Sequence, residues 1–189
     1  MRDMVPSLQD PQYLDPKYKV PAERPGRLVV KTKFIIKKWA SPEDHQSGKE
    51  PYAIEVAEGN IGLNIGIQCA LDTIGGFTAT TWGGVVTFLG VGVNTSIESA
   101  TATALLSASG PTSQLYLALD ATSWPTRSAQ TLTWQSTATS AQANFAWNEF
   151  TVSTNNSNLT GIKLIRKLSQ QGTKISGQVW QLQIQVTMS

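Results

Sequence analysis

Few residues in this sequence could carry out catalysis. His45 is the single histidine and Cys69 the single cysteine. A serine hydrolase could use His45 as its base, but the sequence has no G-x-S-x-G turn for a nucleophile. One histidine and one cysteine also fall short of the three or four ligands that a zinc site needs. We therefore expect no metal or other cofactor, and we expect Cys69, in the apolar run Ile65–Leu71, to be a small core residue.

Acidic pairs are the remaining route to acid–base chemistry. Residues 51–189 hold six acidic side chains, at Glu55, Glu58, Asp72, Glu98, Asp120 and Glu149. Strand alternation would place Glu149 on the same face as Phe145 and Trp147. A carboxylate among aromatic rings either accepts backbone hydrogen bonds or has a raised pKa. We interpret Asn144, Trp147 and Glu149 as structural residues, with Glu149 buried and fixing a loop, and we predict that the protein is not an enzyme.

The tryptophans could instead bind a glycan, because an indole face can stack on a sugar ring. Trp82 and Trp124 fall in predicted loops and are the possible surface contacts among them. The other four lie in strand-like segments, where packing in the core is the more common use. Glycan binding stays open, but core packing is favoured.

The elements that would position these residues are mostly strands. Six strand-like segments are predicted at Val85–Val91, Gln114–Leu119, Thr131–Ala138, Asn144–Val152, Ile162–Leu168 and Val179–Met188. Helices are predicted at Asn64–Ile74 and, over a shorter stretch, within Ser96–Leu106. Short strands joined by Ser, Thr, Gly and Asn turns indicate a mainly β fold, an antiparallel β-sandwich or jelly-roll with one or two short helices.

The first strand is predicted at Leu28–Trp39, with one apolar and one basic face. Lys31, Lys33 and Lys37 form the basic face, which could meet an acidic neighbour or protect an edge strand from pairing. A charged turn at 41–48 and a short strand at 52–56 should follow.

The predicted helix has a regular apolar pattern. Ile67, Leu71 and Ile74 recur at helical spacing, with Leu63 one turn ahead, which is typical of an amphipathic helix. Asn64 could cap the start of the helix, and the glycine pair at 75–76 would end it with a left-handed residue.

Charge is distributed unevenly along the chain. Residues 1–50 carry 10 Lys or Arg and 7 Asp or Glu, whereas residues 51–189 carry only 5 and 6. In the second part 34 of 139 residues are Ser or Thr. A surface so poor in charge is solvated by hydroxyls and amides, or else it is covered by partner proteins, which we favour. The net charge of +2 gives no reason to expect nucleic acid as a partner, and no segment is apolar enough for a membrane span.

Residues 1–27 form a proline-rich segment ahead of the body at 28–189. Its five prolines recur every four or five residues, which favours an extended chain. Tyr13, Leu14, Tyr18 and Val20 lie between the prolines and could fill pockets on a neighbouring molecule. We therefore predict an N-terminal arm that fastens the body to its neighbours; a leader without contacts is the alternative. The polar start is unlike a signal peptide, so synthesis in a cytoplasm is expected.

The order of several segments resembles a group of small virion proteins of tailed bacteriophages. The resemblance covers roughly residues 28–189; its most specific part is A-N-F-A-W-N-E-F at 143–150, supported by the glycine-rich sequences at 60–66 and 88–92 and by Trp180-Gln181-Leu182. It implies a structural part of a virion that is made in the host cytoplasm.

The resemblance does not determine which part of the virion this protein would form. We favour a capsid cement or decoration protein, a trimer bound to the major capsid protein, because an extended arm of 25 residues can reach roughly 75 Å and so bridge subunits. A component of the tail or fibre base, a glycan-binding host-recognition module and, with least support, a hydrolase are the alternatives.

Overall fold

The computed structural model describes residues 29–59, 61–77, 81–108, 110–121 and 123–189. Two helices lie within these ranges, α1 (Pro42–Gln46) and α2 (Asn64–Gly75). The strands of the same ranges are β1 (Val30–Trp39), β2 (Ala53–Glu58), β3 (Ile61–Gly62), β4 (Phe88–Gly92), β5 (Gln114–Ala118), β6 (Thr126–Ser128), β7 (Thr131–Ala138), β8 (Glu149–Ser153), β9 (Lys163–Leu168) and β10 (Val179–Met188).

The strands form two antiparallel sheets of five strands each. Sheet A has the order β2-β1-β10-β7-β6, and sheet B has the order β3-β9-β8-β4-β5. Apolar side chains from both sheets share one core, where the rings of Phe34 in β1 and Phe150 in β8 lie 6.0 Å apart. The predicted antiparallel β-sandwich is therefore confirmed. The arm at 1–27, with its four predicted contact residues, lies outside the described residues.

The centre of sheet A follows directly from sequence alternation. Strands β7 and β10 have the predicted bounds, and Leu182 and Ile184 of β10 are fully buried. Their neighbours Gln183 and Gln185 face outward, as the alternation with core residues requires. Leu182 and Ile184 pack beside Ile36 and Phe34 of β1, which lie opposite them in the ladder.

Several predicted elements differ from the structure. The strand predicted at Val85–Val91 begins only at Phe88, after a short 3-10 helix at Gly84–Val86. The segment 96–106 is not helical, because local polar groups occupy its backbone: Thr101 N donates to Ser99 Oγ, and Leu105 N donates to Asn158 Oδ1. The strand predicted from Asn144 begins only at Glu149. The charged turn at 41–48 contains α1, whose first turn is capped by the Ser41 hydroxyl.

Helix α2 extends one residue beyond the predicted Asn64–Ile74, and its large apolar side chains face away from the core. It ends at Gly76, whose φ of 75° is left-handed as predicted, but its N-cap is Leu63 rather than Asn64. Its buried residues are Gly66 and Cys69, not the large apolar ones. A methyl group on Gly66 would lie 2.4 Å from the carbonyl oxygen of Lys163, so the helix approaches the backbone of β9 through its small residues. The larger side chains are consequently left on the outside.

Candidate functional site

Lys163 lies inside the body, at 1% exposure. Its ammonium group donates hydrogen bonds to the carbonyl oxygens of Ser157 at 2.7 Å, Asn158 at 3.3 Å and Gly161 at 2.7 Å. The same group lies 5.1 Å from the ring centre of Tyr116. Burial lowers the pKa of Lys163 to about 8. The lysine thus fastens the loop between β8 and β9 from within.

Lys174 is a second buried lysine that holds loop residues together. It is fully buried, and its ammonium group donates to Thr139 O at 2.8 Å and to Asn144 Oδ1 at 2.7 Å. Burial lowers its pKa to about 8 as well. Asn144, one of the predicted structural residues, is exposed, and it connects this lysine to Ser140 O through its amide nitrogen.

Glu149 and Arg166 form a fully buried ion pair. Arg166 Nε donates to Glu149 Oε2 at 2.7 Å, and Arg166 Nη2 lies 2.6 Å from the same oxygen. The carboxylate also accepts hydrogen bonds from Leu106 N at 2.8 Å, Ser107 N at 3.2 Å and Ser107 Oγ at 2.8 Å. Its acceptor positions are therefore filled by one cation and one loop, an arrangement suited to holding the loop at 106–107 in place.

The predicted placement of Glu149 beside the aromatic rings is wrong. Trp147 packs edge-on against Trp180 and Phe150 in the core, whereas Glu149 points to the other side of sheet B. Residues 144–148 precede β8 and do not follow its alternation of side chains. The side on which Trp147 lies therefore does not predict the side on which Glu149 lies.

These contacts remove cations from the surface of the body. Three of the five Lys and Arg residues in 51–189 have exposures of 0–1%, namely Lys163, Arg166 and Lys174. Only Arg127 and Lys167 remain partly or wholly exposed there. These three buried cations of 51–189 stabilise loops and so add no charge to the surface that would keep copies apart in solution.

The two buried lysines give a prediction for pH. Below about pH 8 both are charged in the folded protein at a desolvation cost, whereas in the unfolded chain a lysine keeps its proton to about pH 10.4. Between these values the unfolded chain binds more protons, so the free energy of unfolding should rise with pH. We expect a gain of about 1–3 kcal/mol from pH 7.5 to pH 9.5 in chemical denaturation.

The pH profile has an internal control. The variant Lys167→Met, which changes a partly exposed lysine, should keep the same slope. Burial also raises the pKa of the Cys69 thiol, so this one group opposes the two lysines within the interval, and the variant Cys69→Ala should show a steeper rise. Burial raises the pKa of Tyr116 above its usual range, so this residue opposes the trend only above about pH 10. A free energy of unfolding that falls over the stated interval would contradict the prediction.

One face of α2 forms an apolar stripe on the surface, made of Ile67, Leu71 and Ile74. Their exposed fractions are 48%, 63% and 83%. They are spaced four and three residues apart, so they line up along the helix. Phe77, two residues past the end of the helix, is 85% exposed, and we count it with this α2 stripe. Exposed apolar side chains in one contiguous row are typical of a contact site for another protein.

A second exposed apolar area lies along β2, one of the two edge strands of sheet A. Tyr52, Ile54 and Val56 are each at least half exposed. Within the part of the chain that the structure describes, β2 pairs only with β1, so its second edge is available there to accept a further strand.

Lys31, Lys33 and Lys37 lie on the outer face of sheet A, as their alternation predicts. Lys33 lies between Glu58 of β2 and Gln185 of β10. The interpretation that these lysines protect an edge strand is wrong, because β1 lies between β2 and β10. The edge strands of sheet A are β2 and β6, and the outer residues Ile54 and Val56 of β2 are apolar and exposed.

The two tryptophans proposed as surface contacts are partly covered. Trp82 packs against the core and donates from Nε1 to Ile162 O at 3.3 Å. Its own carbonyl oxygen accepts from Trp134 Nε1 at 2.7 Å. Trp124 is half-buried, and its carbonyl oxygen accepts from Gly84 N at 3.0 Å. Trp82 through its ring and backbone, and Trp124 through its backbone, connect the 81–86 segment to the rest of the body.

Comparisons with protein-family models, curated proteins and solved structures find no match. Among the residues that the structure describes, no group of three or more His, Cys, Asp or Glu side chains could hold a metal ion. No helix in the described ranges is long and apolar enough to cross a membrane.

Sequence reasoning missed the internal lysines and the open β2 edge. Lys163 and Lys174 are two of only five cations in residues 51–189, and this scarcity was the available signal that each one has a specific position. The β2 edge had no such signal, because the sequence does not say which strand ends a sheet.

Proposed function

We propose that this chain is a non-enzymatic structural protein of a virus particle, a cement that binds the major capsid protein and copies of itself. The order of its segments, which resembles small virion proteins of tailed phages, supports the assignment to a virion. The chemistry of its surface supports a role in assembly.

The observation that carries the proposal is the combination of buried cations and exposed apolar side chains. Among the described residues, sixteen large hydrophobic side chains are exposed, while three of the five cations of 51–189 are inside. A protein that works as a monomer usually covers itself with charge and leaves no extended apolar area open. The α2 stripe and the β2 edge provide two separate areas for contact, as a subunit that bridges its neighbours requires.

Attachment through many copies suits such a surface. Each area is small, so a single contact would be weak, but contacts repeated over a lattice add by multivalency. The arm at 1–27 adds reach, since an extended segment of this length spans roughly 75 Å at about 3 Å per residue.

Quantification of the chain in purified particles of the encoding virus tests the proposal. A cement protein should be present in a fixed ratio to the major capsid protein, and the purified chain should rebind shells that lack it. A few copies per particle, recovered with isolated tails, would replace the capsid assignment by the tail assignment. Complete absence from particles would overturn the proposal.

A further inference from the structure

We propose that the open edge of β2 receives the arm residues 17–20 of a second copy as an additional antiparallel strand. The inference deepens the proposed function, on which it rests, by naming the segment and the surface through which two copies are connected. The structure supplies the acceptor edge, and the sequence of the arm supplies a matching donor.

The backbone of β2 is arranged to accept a strand. Gly59 N donates to Thr32 O at 2.9 Å, so the pair 59/32 is hydrogen-bonded, and bonded pairs recur at every second residue along an antiparallel ladder. Glu55 and Ala57 therefore direct their backbone groups to β1. Ile54 and Val56, which alternate with them, direct theirs to the open side.

The side chains of the edge have a defined pattern. Ile54 and Val56 lie on the outer face of sheet A, opposite Lys37 and Ile35 of β1. Glu55, between them, faces the other way, and its side chain is half exposed beside Lys38 at 3.6 Å. An incoming strand with apolar residues at alternate positions and a cation between them would match this edge.

The arm contains one such sequence, Lys17-Tyr18-Lys19-Val20. In an antiparallel register with Tyr18 opposite Val56, Val20 lies opposite Ile54 and Lys19 lies opposite Glu55. Apolar residues then pair with apolar residues, and the lysine pairs with the glutamate.

The flanking prolines agree with this register. Pro21 would lie opposite Ala53, where the backbone of the added strand points away from β2 and needs no donor. Pro16 would lie opposite Glu58, where a donor is required, so pairing ends there. The prolines thus limit the added strand to the four residues that can pair.

Chain length favours a second copy over the same copy. Val20, opposite Ile54, would lie level with Lys37 along the sheet. At about 3.3 Å per residue along a strand and about 4.8 Å between strands, this position is about 28 Å from Val29. Nine residues reach only about 30 Å when fully extended. Within one copy the chain would also have to reverse its direction, because an antiparallel partner of β2 runs parallel to β1. A neighbour in contact has no such constraint.

Disulfide trapping between two tagged full-length chains tests the proposal, with Cys69→Ala in both. One chain carries Lys19→Cys and the other carries Glu55→Cys. Mild oxidation should link the two tags at least tenfold faster than in a control in which the second chain carries Asp120→Cys, another exposed acid. Adding Val56→Pro to the acceptor removes an N–H that points away from β1, and it should abolish the link.

The outcomes separate this proposal from the proposed function. A link that forms only within a chain carrying both Lys19→Cys and Glu55→Cys would overturn the exchange between copies. The absence of any link above the control would overturn docking on β2. In either case, a fixed ratio of the chain to the major capsid protein in particles would still support the cement function. If the disulfide forms as expected but the chain is absent from particles, only the cement function is overturned.

Discussion

Replacing Arg166 by Met should lower the free energy of unfolding by about 3–5 kcal/mol. The substitution leaves the carboxylate of Glu149 fully buried with no cation beside it. The hydrogen bonds from Leu106 and Ser107 remain but do not neutralise the charge. Since a domain is stable by only about 5–15 kcal/mol, this loss is a large part of the total. Chemical denaturation of the purified protein measures it.

Two further variants identify the cause of this loss. Lys167→Met changes the next residue of the same strand, where the side chain is partly exposed, and should alter the stability by less than about 0.5 kcal/mol. Adding Glu149→Gln to Arg166→Met removes the unpaired charge but keeps an acceptor for the loop. The double variant should be more stable than Arg166→Met alone. A double variant that is less stable than the single one would show that the charge is not the cause.

Replacing Leu71 and Ile74 by Lys should reduce attachment to the particle more than a hundredfold. Both side chains are mostly exposed in the isolated chain, so burial of each at an interface would contribute about 1.5–3 kcal/mol to binding. The substitutions replace that contribution with the cost of burying two charges. Rebinding of the variant to shells that lack the protein measures the effect.

The same substitutions should leave the fold intact. Neither side chain contributes to the buried face of α2, which consists of Gly66 and Cys69. The free energy of unfolding should therefore change by less than about 0.5 kcal/mol per site. Ile175→Lys serves as the matched control, because Ile175 is 58% exposed and lies outside both contact areas. Equal attachment of the double variant and the control would exclude the α2 stripe as an interface.

The long strands could be predicted from the sequence because their pattern is local. In β10 every second residue from Trp180 to Val186 is a buried apolar residue, and glutamines lie between them. Such alternation by itself defines a strand with one buried face. The short β3 and β6, of two and three residues, carry too few residues for a pattern, and only their ladder partners define them.

The orientation of α2 could not be predicted, because periodicity identifies which residues share a face but not which face is buried. The apolar residues at 67, 71 and 74 do share a face, as predicted. The contact with β9 is decided by Gly66, whose lack of a side chain allows the backbones to approach. The roles of Lys163 and Lys174 escaped prediction for a related reason: a lysine is ordinarily on the surface, and its burial depends on three-dimensional carbonyl partners.

Footprinting by hydroxyl radicals on isolated protein and on intact particles tests the central claim, that partner proteins cover the charge-poor body. The readout is the oxidation rate of Leu71, Ile74 and Phe77, which are 63–85% exposed in the isolated chain. We expect these rates to fall at least fivefold in the particle, while that of Ile175 changes little. Equal rates for the α2 stripe in both samples would contradict the account.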